Sequence, residues 1–406
     1  MKFDPSAMPK TSPQNAFIGA SADAPGTPKI FFDPDKLCTH LLAAGATGSG
    51  KTVAAQVLVE EALKKGVSVV VFDPTAQWTG FLRQQKNDEM LSRYPLFGMQ
   101  KGEAQAFKTT IKAVSTPVQQ INWKNALCPG HLTVLCLNRL GQKPGERPLP
   151  QAAASASEEV RETAAKANGI DGVLSYLRKT DAGATEEASE LEQFIANSVA
   201  QLFDENLEER QHLRLLLVYD EVHRLLPKFG GSGEGFRQIE RAVREFRKWG
   251  VGLILVSQVL SDFVGEIKAN IGTEIQMRTK YEGDLDRVRL KYGEEALQAV
   301  VRLPIGVGMV HNSDYNRGIP FFVAFRPLLH NITRLSDEEI AKLGDYDARL
   351  DGYAAKISEA EAKGIDVSDA KLELSLAADK LKAGSFSVAE IYFESLEKKT
   401  RALPQK

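Results

Sequence analysis

The sequence predicts an α/β fold in which a mainly parallel central sheet is flanked by helices, with a helical appendage at the C-terminal end. Three observations support this prediction. A glycine-rich motif at 45–52 lies between an apolar run and a stretch with helical spacing. The runs 67–72, 132–137 and 213–219 have the continuous hydrophobic character of strands covered on both faces. From about residue 336 the chain is rich in Ala, Glu, Lys and Leu at helical spacing.

The composition is that of an ordinary globular protein. The chain has 406 residues, 43% of them hydrophobic and 26% charged, and its formal net charge is −2. This balance neither indicates nor excludes a nucleic-acid partner, because a local basic patch is compatible with a neutral total. Three cysteines without metal-like spacing predict free thiols in a reducing compartment. Since no apolar run is long enough to span a bilayer, we predict a cytoplasmic protein without a membrane segment.

The motif at 45–52 has the phosphate-binding pattern G-x-x-x-x-G-K-[ST]. Its glycines let backbone N–H groups turn inward around an anion, while Lys51 adds a positive charge for the β- and γ-phosphates. Thr52 offers a hydroxyl to Mg²⁺, and the following helix directs its positive dipole end at the phosphates. The alternative, a turn that binds nothing, is disfavoured by the strand and helix on either side. The residues predicted to bind ATP are Gly45, Ala46, Thr47, Gly48, Ser49, Gly50, Lys51, Thr52 and Val53.

A second apolar run, 213–219, ends in the adjacent carboxylates Asp220 and Glu221. Downstream of a phosphate-binding loop this is the Walker B pattern. Asp220 is predicted to hold Mg²⁺, directly or through a water ligand, and Glu221 to act as the general base that polarises the attacking water. The alternative is a pair of acidic turn residues.

A third apolar run, 250–256, leads to Gln258. A polar amide at a strand end is placed to report the γ-phosphate to the rest of the domain, and the alternative is a simple turn. Residues 306–310 and 320–325 predict two more strands, joined as an antiparallel addition to the sheet.

Three further features each leave two interpretations open. Asp73 ends an apolar run and precedes a proline, so it either approaches the nucleotide or a neighbouring subunit, or forms a turn. The stretch 230–235 is either a mobile loop that contacts a substrate or a flexible linker. The helix predicted over 236–249 has a basic face that is either solvated or lies against a neighbouring subunit. The residues on this face are Arg237, Arg241, Arg244 and Lys248.

Taken together, the motifs resemble those of the HerA/FtsK superfamily of P-loop motor ATPases, and the HerA branch is the most similar. The resemblance is carried by 45–52, 72–74, 219–223 and 246–258, and it covers about residues 36–330. It implies a RecA/FtsK-like P-loop NTPase fold and hydrolysis of ATP with Mg²⁺. It also implies a homo-oligomer, a hexameric ring, that translocates double-stranded DNA.

The resemblance also implies roles for single residues. Lys51 and Thr52 contact the phosphates and Mg²⁺, Asp220 and Glu221 form the Walker B pair, and Gln258 is the sensor. In HerA proteins an arginine that follows the Walker B segment acts in trans on the γ-phosphate of the next subunit. Arg247, in the segment Phe-Arg-Lys-Trp-Gly, is the closest match, and Arg244 is the second choice.

The predicted domain organisation has three parts. Residues 1–35 are expected to form an extended, partly disordered arm because five prolines lie among small residues at 1–30. The ATPase domain covers 36–330 with an insertion at about 79–168, and a helical region covers 331–406. HerA proteins usually carry an N-terminal β-barrel, and we expect a short form without it, which leaves a nuclease or a transfer machine open as the partner.

Two functions are compatible with these observations. The first is a ring-forming motor that moves double-stranded DNA through contacts to phosphate, independent of base sequence. The second is an ATPase that powers a conjugation, secretion or assembly apparatus, since type IV secretion ATPases share the same core. The helical C-terminal region and the near-neutral charge favour the second function slightly.

Overall fold

The computed structural model of the chain describes residues 3–23, 28–138, 140, 190–225, 233–259, 266–382 and 386–402. In these residues one sheet of eleven strands forms the centre of the molecule. In chain order the strands are β1 (Ala16–Ser21), β2 (Lys29–Phe32), β3 (Leu41–Ala44), β4 (Ser68–Asp73), β5 (Thr109–Ala113), β6 (Leu132–Cys136), β7 (Leu215–Tyr219), β8 (Val251–Ser257), β9 (Thr273–Met277), β10 (Val307–Asn312) and β11 (Phe321–Phe325).

The sheet has a parallel part and an antiparallel part. Its strands lie in the order β2-β1-β11-β10-β9-β3-β8-β7-β4-β6-β5. In this order, each strand from β9 to β5 pairs in parallel with the next strand. The strands from β2 to β9, which are β2, β1, β11, β10 and β9, pair antiparallel with one another. The prediction of a mainly parallel sheet is therefore confirmed, and so is the antiparallel pair formed by 307–310 and 321–324.

Helices lie on both faces of the sheet. In the described residues they are α1 (Lys51–Lys64), α2 (Asp88–Ser92), α3 (Trp123–Ala126), α4 (190–204), α5 (Val222–Leu225), α6 (Glu234–Glu245), α7 (Glu266–Asn270), α8 (Glu282–Tyr292), α9 (Glu294–Val301), α10 (Asp337–Ala362), α11 (Ser368–Lys382) and α12 (Phe386–Ala402).

Successive residues of the central strands enter two different hydrophobic cores, because side chains alternate between the faces of a strand. In β3, Leu41 and Ala43 pack in the core that contains α1, whereas Leu42 and Ala44 pack in the core that contains α4 and α6. All residues of β4, β6, β7 and β8 are buried. This explains why these strands read as unbroken apolar runs in the sequence.

The N-terminal segment differs from the extended arm predicted for residues 1–35. Ala16–Ser21 pairs with β11 and Lys29–Phe32 pairs with β1, so both strands belong to the central sheet. Ala16, Ile18 and Ile30 are buried in the core. The prolines that suggested an extended arm lie outside the two strands, where they do not remove ladder hydrogen bonds.

The predicted insertion at 79–168 contributes two strands to the sheet where it is described. β6 pairs with β4, and β5 forms the edge beside β6. Residues 141–168, for which a weak helix or a surface excursion was predicted, lie outside the described residues. The same holds for 226–232, which contains the first half of the glycine-rich stretch 230–235.

After residue 331, the described residues form the helices α10, α11 and α12, as the appendage prediction expected. The first turn of α10 is capped by Ser336 and Glu339, which exchange hydrogen bonds with each other's backbone N–H groups. These helices share a core of their own, which includes Tyr353, Ile357 and Phe393. No described helix, in this region or elsewhere, is long and apolar enough to cross a bilayer.

A buried ionic cluster joins α1 to the segment that follows β11. The Arg326 guanidinium lies 2.7 Å from Glu60 Oε2 and 2.7 Å from Glu61 Oε1, and Arg326 is 1% exposed. Glu60 Oε1 accepts hydrogen bonds from the backbone N–H and the Nδ1 of His330. Burial alone would raise the pKa of Glu60, but Arg326 and His330 hold it below its ordinary value.

Replacing Arg326 is expected to destabilise the fold strongly. Arg326→Met removes the guanidinium from the fully buried Glu60 and leaves Glu61 with Lys64 as its remaining cation, so the free energy of unfolding should fall by about 3–5 kcal/mol. Urea denaturation measures this change. Arg289→Met is the matched control, because the Arg289–Asp286 pair is exposed and should contribute less than about 1 kcal/mol. Equal effects of the two substitutions would contradict the interpretation of the cluster as a stabilising contact.

Candidate functional site

The predicted phosphate-binding loop connects β3 to α1, which is the context that the motif requires. Gly48 and Gly50 have φ values of 76° and 99°, in the left-handed region that favours glycine. A Cβ atom at Gly50 would lie 3.1 Å from the backbone nitrogen of Gly306, so the segment that precedes β10 leaves little room for a side chain here. Gly50 has no side chain to cap the first N–H groups of α1, which leaves them available to an anion.

The loop is held by the strand neighbours of β3. The N–H of Ala46 donates to the carbonyl of Arg278 at 2.9 Å, just after β9. The carbonyl of Ser49 accepts from the N–H of Gly306 at 3.1 Å, just before β10. The loop backbone is therefore held by the segments after β9 and before β10, and neither segment contains a predicted site residue.

Asp220 lies beside the loop with both oxygens in defined contacts. The hydroxyl of Thr52 donates to Asp220 Oδ1 over 3.4 Å, and the N–H of Glu221 donates to the same oxygen over 3.0 Å. The indole Nε1–H of Trp78 donates to Asp220 Oδ2 over 2.9 Å. Asp220 is fully buried. The carboxylate and the Thr52 hydroxyl are hard oxygen donors of the kind that Mg²⁺ prefers, so these residues fit the predicted cation.

The Glu221 carboxylate contacts two other predicted site residues, Lys51 and Gln258. Its Oε1 lies 3.2 Å from Lys51 Nζ, and its Oε2 accepts a hydrogen bond from Gln258 Nε2 over 3.3 Å. The Nδ1 of His223 lies 3.3 Å from the same Oε2. Glu221 also has a φ of 48°, an uncommon conformation for a residue with a side chain, of the kind that clusters at functional sites.

Burial and neighbouring carboxylates change the ionisation of Asp220. Desolvation, followed by the negative charge of Asp73, raises the pKa of Asp220 to about 7, against the opposing effects of Trp78 and Lys51. Burial also raises the pKa of Asp73. Among the described residues, no group of three or more His, Cys, Asp or Glu side chains could hold a metal ion. A cation here would therefore need ligands from the nucleotide or from water.

Asp73 has the turn-forming role that was one of its two interpretations. Its Oδ1 accepts hydrogen bonds from the N–H and hydroxyl of Thr75, and its Oδ2 accepts one from the N–H of Trp78 over 2.8 Å. β4 and β7 pair in register, with Phe72 opposite Tyr219. Asp73 and Asp220 therefore follow directly on neighbouring strands.

Arg247 does not lie near the phosphate-binding loop of its own chain. It is close to Cys38 and His40, which precede β3, and it influences the pKa of both. The loop follows β3, so Arg247 is at the opposite edge of the sheet. Arg244, one turn earlier, and Arg247 are both exposed. A role in trans stays a prediction for either residue.

Residues on the predicted basic face of α6 form local contacts with acidic and aromatic side chains. Arg237 pairs with Glu234 at 2.7 Å, and Arg241 pairs with Glu245 at 3.0 Å. The Arg241 guanidinium also lies 3.9 Å from the ring centroid of Phe203. For Arg237 and Arg241 these contacts favour the solvated interpretation of the face.

Trp78 is the residue at this site that sequence reasoning missed. No motif in the sequence assigns a role to this residue. The one signal available was a tryptophan close to a strand-end carboxylate, which does not specify a contact with residue 220.

Residues 16–211 match the family model of the central domain of the helicase HerA. Over these 196 of its 406 residues, the chain resembles the central domain of HerA. The match includes the phosphate-binding loop and Asp73 and ends before Asp220. The match begins at β1, earlier than the start at residue 36 that the motifs suggested, in agreement with the pairing of β1 in the central sheet.

Solved structures of other ATPases resemble the chain at low identity, whereas no curated protein matches the sequence. The genome packaging NTPase B204 of Sulfolobus turreted icosahedral virus 2, in complex with AMPPCP, has 13% identity and a TM-score of 0.37, covering 72% of this chain and 98% of its own. The conjugation coupling protein TcpA of pCW3 has 15% identity and a TM-score of 0.37, covering 84% and 73%. VirB4 of Thermoanaerobacter pseudethanolicus has 11% identity and a TM-score of 0.42, covering 81% and 99%. With identities and TM-scores this low, no function is carried over from these proteins.

Binding of Mg²⁺ is expected to depend on pH through Asp220. A carboxyl with a pKa of about 7 is mostly ionised at pH 8 and mostly protonated at pH 6, and only the ionised form is a good ligand. We titrate Mg²⁺ calorimetrically into protein saturated with a non-hydrolysable ATP analogue. Mg²⁺ binding should be about tenfold weaker at pH 6 than at pH 8. In Asp220→Asn the bound nucleotide still titrates, but residue 220 does not. The difference between the pH profiles of Mg²⁺ affinity in the wild-type protein and in this variant therefore gives the contribution of Asp220. Identical profiles would rule out Asp220 as the titrating ligand.

Proposed function

We propose that this chain is an ATP-hydrolysing, ring-forming motor that translocates double-stranded DNA. The observation that carries the proposal is the convergence on Glu221 of Lys51, from the phosphate-binding loop, and Gln258, from the neighbouring strand end. A general base that contacts both a phosphate-binding lysine and a sensor amide is the arrangement expected for nucleotide hydrolysis.

The proposed mechanism assigns one step to each residue. The N–H groups of the loop and Lys51 bind the β- and γ-phosphates, while Thr52 and Asp220 hold Mg²⁺. The cation, when bound, neutralises negative charge on the phosphates. Glu221 accepts a proton from the attacking water, and Gln258 links the state of Glu221 to β8. The exclusion of bulk water around Asp220 strengthens each of these electrostatic contacts.

A ring would complete the site from a neighbouring subunit. Arg247 is exposed and lies at the edge of the sheet opposite its own phosphate-binding loop. In the proposed hexamer, this residue would stabilise the γ-phosphate bound by the adjacent subunit, with Arg244 as the second candidate. Contacts to DNA would be made mainly to phosphate, which makes binding sensitive to salt and independent of base sequence.

A second candidate function is an ATPase that powers a conjugation, secretion or assembly apparatus. The helices α10 to α12 favour it, because they share a core separate from that of the sheet. They also expose Leu372, Val388 and Ile391, which is the kind of surface that binds another protein. A nuclease or a transfer machine would then be the partner of this helical region.

The effect of DNA on ATP turnover separates the two candidates. We expect long double-stranded DNA to stimulate hydrolysis at low salt and the stimulation to fade at moderate salt, since phosphate contacts release counterions. Turnover is measured with and without DNA at both salt concentrations. A short single-stranded oligonucleotide at equal nucleotide concentration is the control for non-specific polyanion effects. Turnover that ignores DNA under all conditions would favour the apparatus-powering function.

Glu221→Gln is expected to block hydrolysis while ATP stays bound. The amide cannot accept the proton of the attacking water, and loss of a general base lowers turnover by about 10²–10⁴-fold. Binding of radiolabelled ATP and release of phosphate are measured on the same sample. His223→Gln is the matched control, since His223 contacts the same oxygen of Glu221 and has no assigned chemical step. Normal turnover in Glu221→Gln would refute the assignment of the base.

A further inference from the structure

The indole of Trp78 reaches the predicted Mg²⁺ ligand from a separate part of the chain. Its Nε1–H donates to Asp220 Oδ2 over 2.9 Å, and Trp78 is fully buried. It lies in the 3₁₀ turn Gln77–Leu82 that follows β4. The contact joins residues that are 142 positions apart in the sequence.

The position of the indole is fixed from two sides. The backbone N–H of Trp78 donates to Asp73 Oδ2, and this hydrogen bond holds the 3₁₀ turn against the end of β4. The indole stacks on Phe81 with ring centroids 5.6 Å apart, and Phe81 stacks in turn on His330 at 3.6 Å. A tryptophan held in this way has few alternative orientations, so its N–H is a fixed donor.

Because the Trp78 indole binds one carboxylate oxygen of Asp220, the two oxygens have different partners. Oδ2 is occupied by the indole, while Oδ1 lies on the side of Thr52 and receives the hydroxyl of Thr52 and the N–H of Glu221. With Oδ2 bound, rotation of the carboxylate away from Thr52 would break a buried hydrogen bond.

We propose that Trp78 is a positioning residue that orients Asp220 for Mg²⁺, an inference that rests on the proposed function of Asp220 and Thr52. A neutral N–H suits this task better than a cationic donor, because it fixes the carboxylate and leaves its negative charge for the cation. Groups that orient a metal ligand through its second oxygen typically change metal affinity by about 10–100-fold when they are removed.

The test compares two variants that each remove one buried indole. Trp78→Phe keeps an aromatic ring and loses the donor to Asp220. Trp123→Phe is the matched control, because Trp123 is also buried and packs in the core on the other face of the sheet. Within the described part of the chain its indole nitrogen has no hydrogen-bond partner, so the substitution removes no donor in use.

Mg²⁺ is titrated calorimetrically into each protein saturated with a non-hydrolysable ATP analogue, and affinity for the analogue alone is measured in EDTA. We expect Trp78→Phe to weaken Mg²⁺ binding by about 10–100-fold and to leave the affinity in EDTA unchanged. Trp123→Phe should change neither quantity. A wild-type Mg²⁺ affinity in Trp78→Phe, or an equal loss in both variants, would overturn the proposal.

A second measurement leaves Trp78 in place. The chain has three tryptophans, so a variant with Trp123→Phe and Trp249→Phe has Trp78 as its single emitter. We expect Mg²⁺ to change the emission of Trp78 in the presence of the bound analogue, and Asp220→Asn to abolish that change. Constant emission while calorimetry detects Mg²⁺ binding would count against the proposal. Failure of the wild-type protein to bind Mg²⁺ at all would instead overturn the proposed function, and this inference with it.

Discussion

The parallel pairing of β3, β8, β7 and β4 is the constraint on which the candidate site depends. Parallel strands end at the same edge of a sheet, so residues that follow four separate strands meet there. No single segment of the chain could place these groups together, because Lys51 and Gln258 are 207 positions apart in the sequence. The residues at this edge are Lys51 and Thr52 after β3, Gln258 after β8, Asp220 and Glu221 after β7, and Asp73 as the last residue of β4.

The sequence predicted the parts of the fold that carry a strong local signal. β4, β6, β7 and β8 are buried on both faces and therefore appear as apolar runs. The strands β1, β2 and β5 were missed. β5 contains the half-buried polar residues Thr110 and Lys112, and β1 and β2 lie among the prolines that indicated an extended arm. Strand order is a property of distant pairing, so no local pattern contains it.

The site divides in the same way. Lys51, Thr52, Asp220 and Glu221 belong to motifs whose chemistry requires those residue types at those spacings, and the structure places them in contact. The contact of Trp78 with Asp220 depends on the pairing of β4 with β7 and on the shape of a 3₁₀ turn. Neither is visible in the residues around position 78.

The buried cluster around Arg326 has a mechanical consequence. α1 has fourteen residues, which corresponds to a length of about 21 Å. Lys51 at one end belongs to the phosphate-binding loop, and Glu60 and Glu61 near the other end are fastened to Arg326, which follows β11. A displacement of the loop along the helix axis would therefore be resisted by this cluster, in addition to the packing of α1 on the sheet. The pairing of Glu60 and Glu61 with Arg326 therefore couples the position of α1 to that of the segment after β11.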